Sequence, residues 1–145
     1  MVALAHRLLP AEPYTSLDAY VADGGGGGLA GARAIGPGAT IDEISLGGVR
    51  GRGGAGFPAG TKWRSVASAA GSTKYAVANG AEGEPGTFKD RALMRANPYA
   101  VIEGLLISAF CVGAKEAYLA LKASFETELE SVRRALVEVE AAGWL

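Results

Sequence analysis

Apolar positions along this chain fall into two patterns: stripes at helical spacing, and short near-continuous runs bounded by glycine. Leu17, Tyr20 and Val21 lie on one side of a short helix that Ser16 can cap and that ends by Ala22. Thr40 predicts an N-cap for a helix over Ile41 to Leu46, with Asp42 and Glu43 well placed in its first turn. Gly60 to Ala69 reads as a helix with Lys62 and Trp63 in its first turn. Lys74 to Ala78 reads as a short buried strand, followed by a loop from Asn79 to Gly86 and a short helical piece near Lys89 to Arg95. Asn97 and Pro98 open a helix that runs to Val112 and stops at Gly113; it is apolar almost all round, so burial is expected. Glu116 to Lys122 is the second strand. A last amphipathic helix covers Glu126 to Ala142, with Leu129, Val132, Leu136 and Val139 as its inner stripe and Gly143 as its stop.

Residues 1–15 predict an irregular arm, and Gly24 to Gly28, five glycines in a row, predict a helix stop plus a loose turn without regular structure. The order strand, helix, strand, helix implies a right-handed βαβ unit with parallel strands. Two strands make a poor sheet on their own, so the chain reads as part of something larger.

Length and charge narrow the function. The 145 residues suit one ordinary domain; 49% are hydrophobic and 20% charged, which allows a real core. A net charge of -1 argues against a nucleic-acid binder. The longest apolar run, Val101 to Val112, is short for a membrane span and contains Glu103. With no export signal at the N-terminus, the expected location is the cytoplasm. One cysteine, Cys111, rules out an internal disulfide or a multi-thiolate metal site, and reads as a small buried hydrophobe. His6, the one histidine, leaves no histidine-based zinc site or triad to build.

The most informative segment runs from Gly48 to Trp63. Its glycines let backbone N–H groups approach a ligand, Arg50, Arg52 and Lys62 add charge for phosphate oxygens, and Phe57 and Trp63 offer ring surfaces. Gly51 to Gly56 spells G-x-G-x-x-G, yet a helix rather than a strand precedes it, so an ordinary dinucleotide fingerprint is not expected. A Walker A loop fails because Thr61 separates Gly60 from Lys62. What survives is a nest of amides flanked by cations beside a helix N-terminus. The loop after the first strand carries Asn79, Glu82 and Glu84, whose oxygens can accept from ribose hydroxyls or exocyclic amines; a solvated acidic turn is the plainer alternative. Neither segment contains a nucleophile with its base, so redox chemistry would belong to a bound cofactor.

Together, Arg50-Gly51-Arg52-Gly53-Gly54-Ala55-Gly56-Phe57-Pro58 with Gly60, Lys62 and Trp63, and Glu82-Gly83-Glu84-Pro85-Gly86-Thr87 with Lys89-Asp90-Arg91, resemble the two signatures of the NADH-oxidising flavoprotein subunit of respiratory complex I. Relatives of that protein occur in NAD-linked hydrogenases and formate dehydrogenases. The resemblance covers residues from about 15 to the end.

It implies an α/β fold: the Rossmann-like βαβ portion of the complex I flavoprotein FMN-binding domain, incomplete, preceded by a helical, glycine-rich arm. Residues 1–46 would form the arm and residues 47–145 the N-terminal part of the FMN/NADH-binding domain. Gly51, Gly53, Gly54 and Lys62 would lie near the FMN phosphate and ribityl chain, with Arg52 adding charge, and Asn79 would join the flavin site. Phe57, Lys62, Glu82 and Glu84 would face NADH, Phe57 stacking on one of its rings. The family reaction is hydride transfer from NADH to FMN, then single-electron exit through iron–sulfur clusters. Partners would be other subunits of an NADH dehydrogenase, hydrogenase or formate dehydrogenase complex, an iron–sulfur protein among them. The location would then be cytoplasmic or peripheral on the inner membrane face.

Two departures qualify the carry-over. The family has Ala-Asp after the asparagine where this chain has Gly80-Ala81, so a carboxylate that resembles a flavin ligand is missing. No Gly-Glu-Glu signature or cysteine-rich domain follows, and Cys111 alone holds no iron–sulfur cluster. The expectation is a fragment that needs a partner chain to complete the flavin pocket. A non-catalytic remnant serving as an interaction module, or a plain nucleotide binder without flavin, remain the alternatives.

Overall fold

The computed structural model describes residues 8–71 and 73–145; His6 lies outside them. The elements in chain order are α1 (Leu17–Ala22), α2 (Gly27–Ile35), α3 (Pro37–Leu46), α4 (Ala59–Ser68), β1 (Tyr75–Asn79), α5 (Lys89–Ala96), α6 (Pro98–Val112), β2 (Glu116–Ala120) and α7 (Glu126–Ala141). β1 and β2 pair as a two-stranded parallel sheet. Lys115 donates its N–H to the Lys74 carbonyl at one end, and Gly80 donates to the Ala120 carbonyl at the other. The residues gather into two compact units: described residues of Met1–Gly27 with Ala78–Glu103 and Leu119–Leu145, and Gly28–Val77 with Gly104–Tyr118.

In the first unit α7 packs against α5 and α1. Leu17, Met94, Tyr99, Ile102, Val132, Ala135 and Val139 are its buried apolar residues. The inner face of α7 therefore runs through Glu128, Val132, Ala135 and Val139; Leu136, expected inside, is 37% exposed. Ala135, fully buried, takes the inward position, and Leu136, one residue and about 100° further round the helix, faces outward. Tyr20 lies edge-on to Tyr14 and stacks on Tyr99 at 5.7 Å. Asn97 caps α6 as its sequence predicts, accepting from the Ala100 N–H at 3.1 Å.

The polyglycine segment departs from expectation. Gly27 and Gly28 open α2, a helix that the glycine-rich pattern conceals. The turn before it is fixed rather than loose. Gly24 and Gly26 take left-handed φ of 93° and 82°, and the Gly26 N–H donates 2.9 Å to the buried Glu103 carboxylate, which also accepts from the Tyr20 hydroxyl at 2.6 Å. Burial and the Glu103 carboxylate push the Tyr20 phenol far above its usual range. A Cβ at Gly26 would sit 2.8 Å from the Trp144 ring, so both φ and space demand glycine there.

In the second unit Leu29, Ala32, Ile41, Ala76, Cys111 and Val112 are buried, and α3 packs on α4. Helix α3 begins at Pro37 with Gly36 at its N-cap, ahead of the start that the Thr40 cap reading gives. Pro37 supplies a preset helical φ. Thr40 is buried inside the helix and satisfies its hydroxyl on the Gly36 carbonyl at 2.8 Å. Gly60 allows α4 to meet α3: a Cβ there would lie 2.0 Å from Ser45 Oγ and 3.0 Å from Ser45 Cα. Gly60→Ala is expected to lower unfolding free energy by about 1–3 kcal/mol through overpacking, read from a chemical denaturation curve. A curve that superimposes on the parent's would show that α3 and α4 can part freely.

Helix α6 is buried at Tyr99, Ile102, Glu103, Cys111 and Val112, but Phe110 is 36% exposed, so its burial is less complete than its composition predicts. On the sheet, Tyr75 (54%), Val77 (61%) and Tyr118 (49%) are open to solvent.

Candidate functional site

The glycine loop leaves α3 through Gly47 and Gly48 and is closed at its neck. Arg50 and Pro58 form an antiparallel bridge. Gly51 donates to the Phe57 carbonyl at 2.9 Å, and Ala59 to the Val49 carbonyl at 2.8 Å. The Arg50 guanidinium donates 3.1 Å to the Gly56 carbonyl and braces the loop from inside. Arg50 is thus partly spent on structure, while Arg52 and Lys62 remain exposed, their side chains without hydrogen-bond or ion-pair partners among the described residues.

Beyond the neck, the N–H groups of residues 52–57 donate to nothing among the described residues. Gly54 and Gly56 take φ of 104° and 61°, which turn the peptide planes, and a Cβ on Gly53, Gly54 or Gly56 would meet nothing within 4 Å. Loop amides need a partner or water. Helix α4 follows at once, capped by Pro58, whose side chain cannot cap, so the positive end of its dipole stays uncovered. Free amides, a helix N-terminus and two exposed cations form a donor set that fits a phosphate-bearing group. Phe57 is 55% exposed, free to lie against a ring. In the same unit Lys62, Trp63, Val66, Tyr75, Val77 and Ser108 line a cleft of about 300 Å³.

The acidic loop, in the other unit, assigns its members different work. Asn79, at the exposed end of β1, accepts from the Ala81 N–H at 3.1 Å and makes the chain turn. Glu82, expected to face NADH, has a side chain only 1% exposed and turned back into the protein. Its carboxylate accepts from the Asp90 N–H at 2.9 Å and the Arg91 N–H at 3.3 Å, capping α5 from a distance, with Arg91 Nε 3.5 Å away. Burial alone raises this carboxyl; the two N–H donors, with Lys89 and Arg91, more than reverse it, so it ends below the ordinary glutamate range. Its stabilising effect is therefore complete above the unfolded-state value and fades as pH falls through the lower folded one. Acid unfolding of the parent should thus steepen below the ordinary glutamate range, and Glu82→Gln should remove that step from a plot of stability against pH. An unchanged plot would leave Glu82 without this role.

Glu84 differs from Glu82. It is exposed, its carbonyl accepts from Thr87, and its carboxylate makes no hydrogen bond or ion pair among the described residues. Lys122, which sequence reasoning passed over, donates from Nζ to the Glu82 carbonyl at 3.1 Å. Its available signal was position: it follows β2 as Glu82 follows β1, at the carboxyl ends of parallel strands where ligand loops collect. Phe125 carries Lys122 and Arg91 over its ring at 5.5 and 5.4 Å.

Among the described residues no group of three metal-ligating side chains could hold a metal ion, and no helix is long and apolar enough to cross a membrane. Fold and loop together define a mixed α/β protein whose glycine loop is closed at its neck ahead of a helix N-terminus. The family model of the Nuo51 FMN-binding domain matches residues 44–143, and the chain belongs to that family. It is 42% identical over 126 residues to a subunit of the NADH-quinone oxidoreductase of Rhizobium meliloti, covering 85% of this chain and 30% of that protein. An NADH-quinone oxidoreductase subunit of Aquifex aeolicus is 39% identical over 130 residues, covering 90% of this chain and 30% of its own length. A solved NAD+-reducing [NiFe]-hydrogenase in the air-oxidized state superimposes with a TM-score of 0.71 at 32% identity, over 90% of this chain and 23% of that one. The chain thus spans about 30% of the length of the Rhizobium and Aquifex relatives.

Proposed function

We propose that this chain is part of an NADH:acceptor oxidoreductase, holding FMN at the glycine loop and receiving NADH beside it. The observation that carries the reading is the run of amides at residues 52–57 that donate to nothing among the described residues, on a loop whose neck is already closed. Gly51, Gly53 and Gly54 bring the backbone close to the phosphate and ribityl chain, and Arg52 and Lys62 neutralise the phosphate. Asn79 contributes at the flavin site. Phe57 offers its open ring to NADH, Lys62 its charge, and Glu84 a free carboxylate for hydroxyl or amide donors; Glu82 belongs to the same loop. Ala81 adds no carboxylate, so this chain's grip on FMN rests on amides and cations. Bound FMN would supply the redox chemistry, accepting a hydride from NADH and passing electrons on singly.

The family match over residues 44–143 supports reading 47–145 as the N-terminal part of an FMN/NADH-binding domain and 1–46 as an arm in front of it. The order β1, α5, α6, β2 supports a Rossmann-like right-handed crossover. The names of the relatives support assembly with other subunits of an NADH dehydrogenase or NAD-reducing hydrogenase; an iron–sulfur protein among them, and a place on the cytoplasmic side or at the inner membrane face, complete the reading.

The test is direct. The purified chain is equilibrated with FMN, freed of excess by gel filtration, and its visible spectrum recorded before and after anaerobic NADH. A retained flavin band that NADH bleaches supports the reading. Colourless protein whose melting temperature is unmoved by FMN or NADH would instead favour an interaction module without catalysis.

A further inference from the structure

The structure assigns Arg50 a part that its charge does not announce: it is a positioning residue that sets the direction of the 56–57 peptide in the glycine loop. The inference deepens the flavin reading above and rests on it. Arg50 stands at the neck, bridged to Pro58, with the Gly51 N–H on the Phe57 carbonyl at 2.9 Å and the Ala59 N–H on the Val49 carbonyl at 2.8 Å. From there its guanidinium reaches across the loop and donates from Nη1 to the Gly56 carbonyl at 3.1 Å. The carbonyls of Gly56 and Phe57 are thereby both bound inside the loop. Across a trans peptide the carbonyl and the next N–H point opposite ways. While Arg50 holds the Gly56 oxygen, the Phe57 N–H is aimed away from the guanidinium. A half-turn of that peptide would exchange the two, setting an acceptor where the loop now has a donor.

Glycine chemistry alone does not prevent that half-turn. Gly56 takes a φ of 61°, and a Cβ there would meet nothing within 4 Å, so neither backbone strain nor packing fixes the peptide. Gly53 and Gly54 are equally open. The glycines permit the conformation, and the Arg50 bond selects it. Arg52 and Lys62, whose side chains have no hydrogen-bond or ion-pair partners among the described residues, are left as the cations for a phosphate. Arg50 acts through the amides instead.

The experiment uses the full chain and three variants: Arg50→Ala, Arg50→Lys and Arg52→Ala. Backbone nitrogen relaxation of the ligand-free proteins gives order parameters for residues 53–57, and amide exchange reports on Gly51 and Ala59 at the neck. FMN titration gives dissociation constants at low salt and at about 1 M salt, where the screening length falls to about 3 Å. Arg50→Ala should lower the order parameters of residues 53–57 from about 0.85 to below about 0.6, while the neck amides and the melting temperature hold. Its FMN dissociation constant should rise about fivefold, the size of one net hydrogen bond, and by the same factor at both salt concentrations. Arg50→Lys, whose ammonium can still donate to the carbonyl, should recover most of the order and the affinity. Arg52→Ala should leave the order parameters unmoved and weaken FMN binding chiefly at low salt. Order parameters that Arg50→Ala leaves unchanged overturn the assignment. So does an affinity loss that vanishes in salt, because Arg50 would then act on the phosphate by charge alone. Loosening that spreads to Gly51 and Ala59 with a lower melting temperature overturns it too, since Arg50 would then hold the fold rather than one peptide. A parent chain that takes up no FMN defeats the proposed function alone, and the hold of Arg50 on the 56–57 peptide is then judged on relaxation.

Discussion

Glu103→Ala is expected to lower the unfolding free energy by about 3 kcal/mol, the sum for two part-buried donors left without their carboxylate. The donors are the Tyr20 hydroxyl at 2.6 Å and the Gly26 N–H at 2.9 Å, and Glu103 itself is only 6% exposed. Neither donor can turn to water cheaply. Tyr20 is stacked on the fully buried Tyr99, and Gly26 is held against Trp144 in a left-handed turn. Tyr20→Phe removes one donor together with its need for a partner, and should cost about 1 kcal/mol. Urea titration followed by far-ultraviolet circular dichroism measures both. If Glu103→Ala costs no more than Tyr20→Phe, the carboxylate does not organise the turn.

Lys62→Glu should have the largest effect on binding and little on folding. Lys62 is exposed on the first turn of α4, the helix that follows the glycine loop, and its side chain makes no hydrogen bond or ion pair among the described residues. In the function proposed above, reversing its charge removes a phosphate partner and adds a repulsive one, so the FMN dissociation constant should rise about a hundredfold or more. Fluorescence quenching of FMN on titration with the chain gives that constant, and the melting temperature of the ligand-free chain gives the control. A variant that binds FMN as the parent does would remove Lys62 from the site and weaken the placement of the phosphate at this loop.

Local chemistry in the sequence carried much of this structure. Asn97 and Pro98 announce the start of α6, and Gly113 its stop, because caps act within one turn. The glycine loop was legible for a similar reason: its spelling fixes where backbone can turn left-handed, and Gly54 and Gly56 do so. Readings that depended on distant residues went less well. Helix α2 hides in a glycine run because its stability comes from burial of Leu29 and Ala32, not from helix propensity. Leu136 satisfies the helical period on paper, but packing chose Ala135. Glu82 and Glu84 look interchangeable in sequence, two residues apart in one acidic turn. Only the arrival of α5 beneath the loop separates a capped, enclosed carboxylate from an open one.

In the function proposed above, the bridge between Arg50 and Pro58 bears on how tightly the glycine loop would hold an anion. A ring of peptide groups already shaped by folding gives up little freedom when a guest arrives, so less of the contact energy is lost to ordering. Its selectivity should therefore follow the guest's size and charge, and added salt should weaken capture chiefly by shielding Arg52 and Lys62.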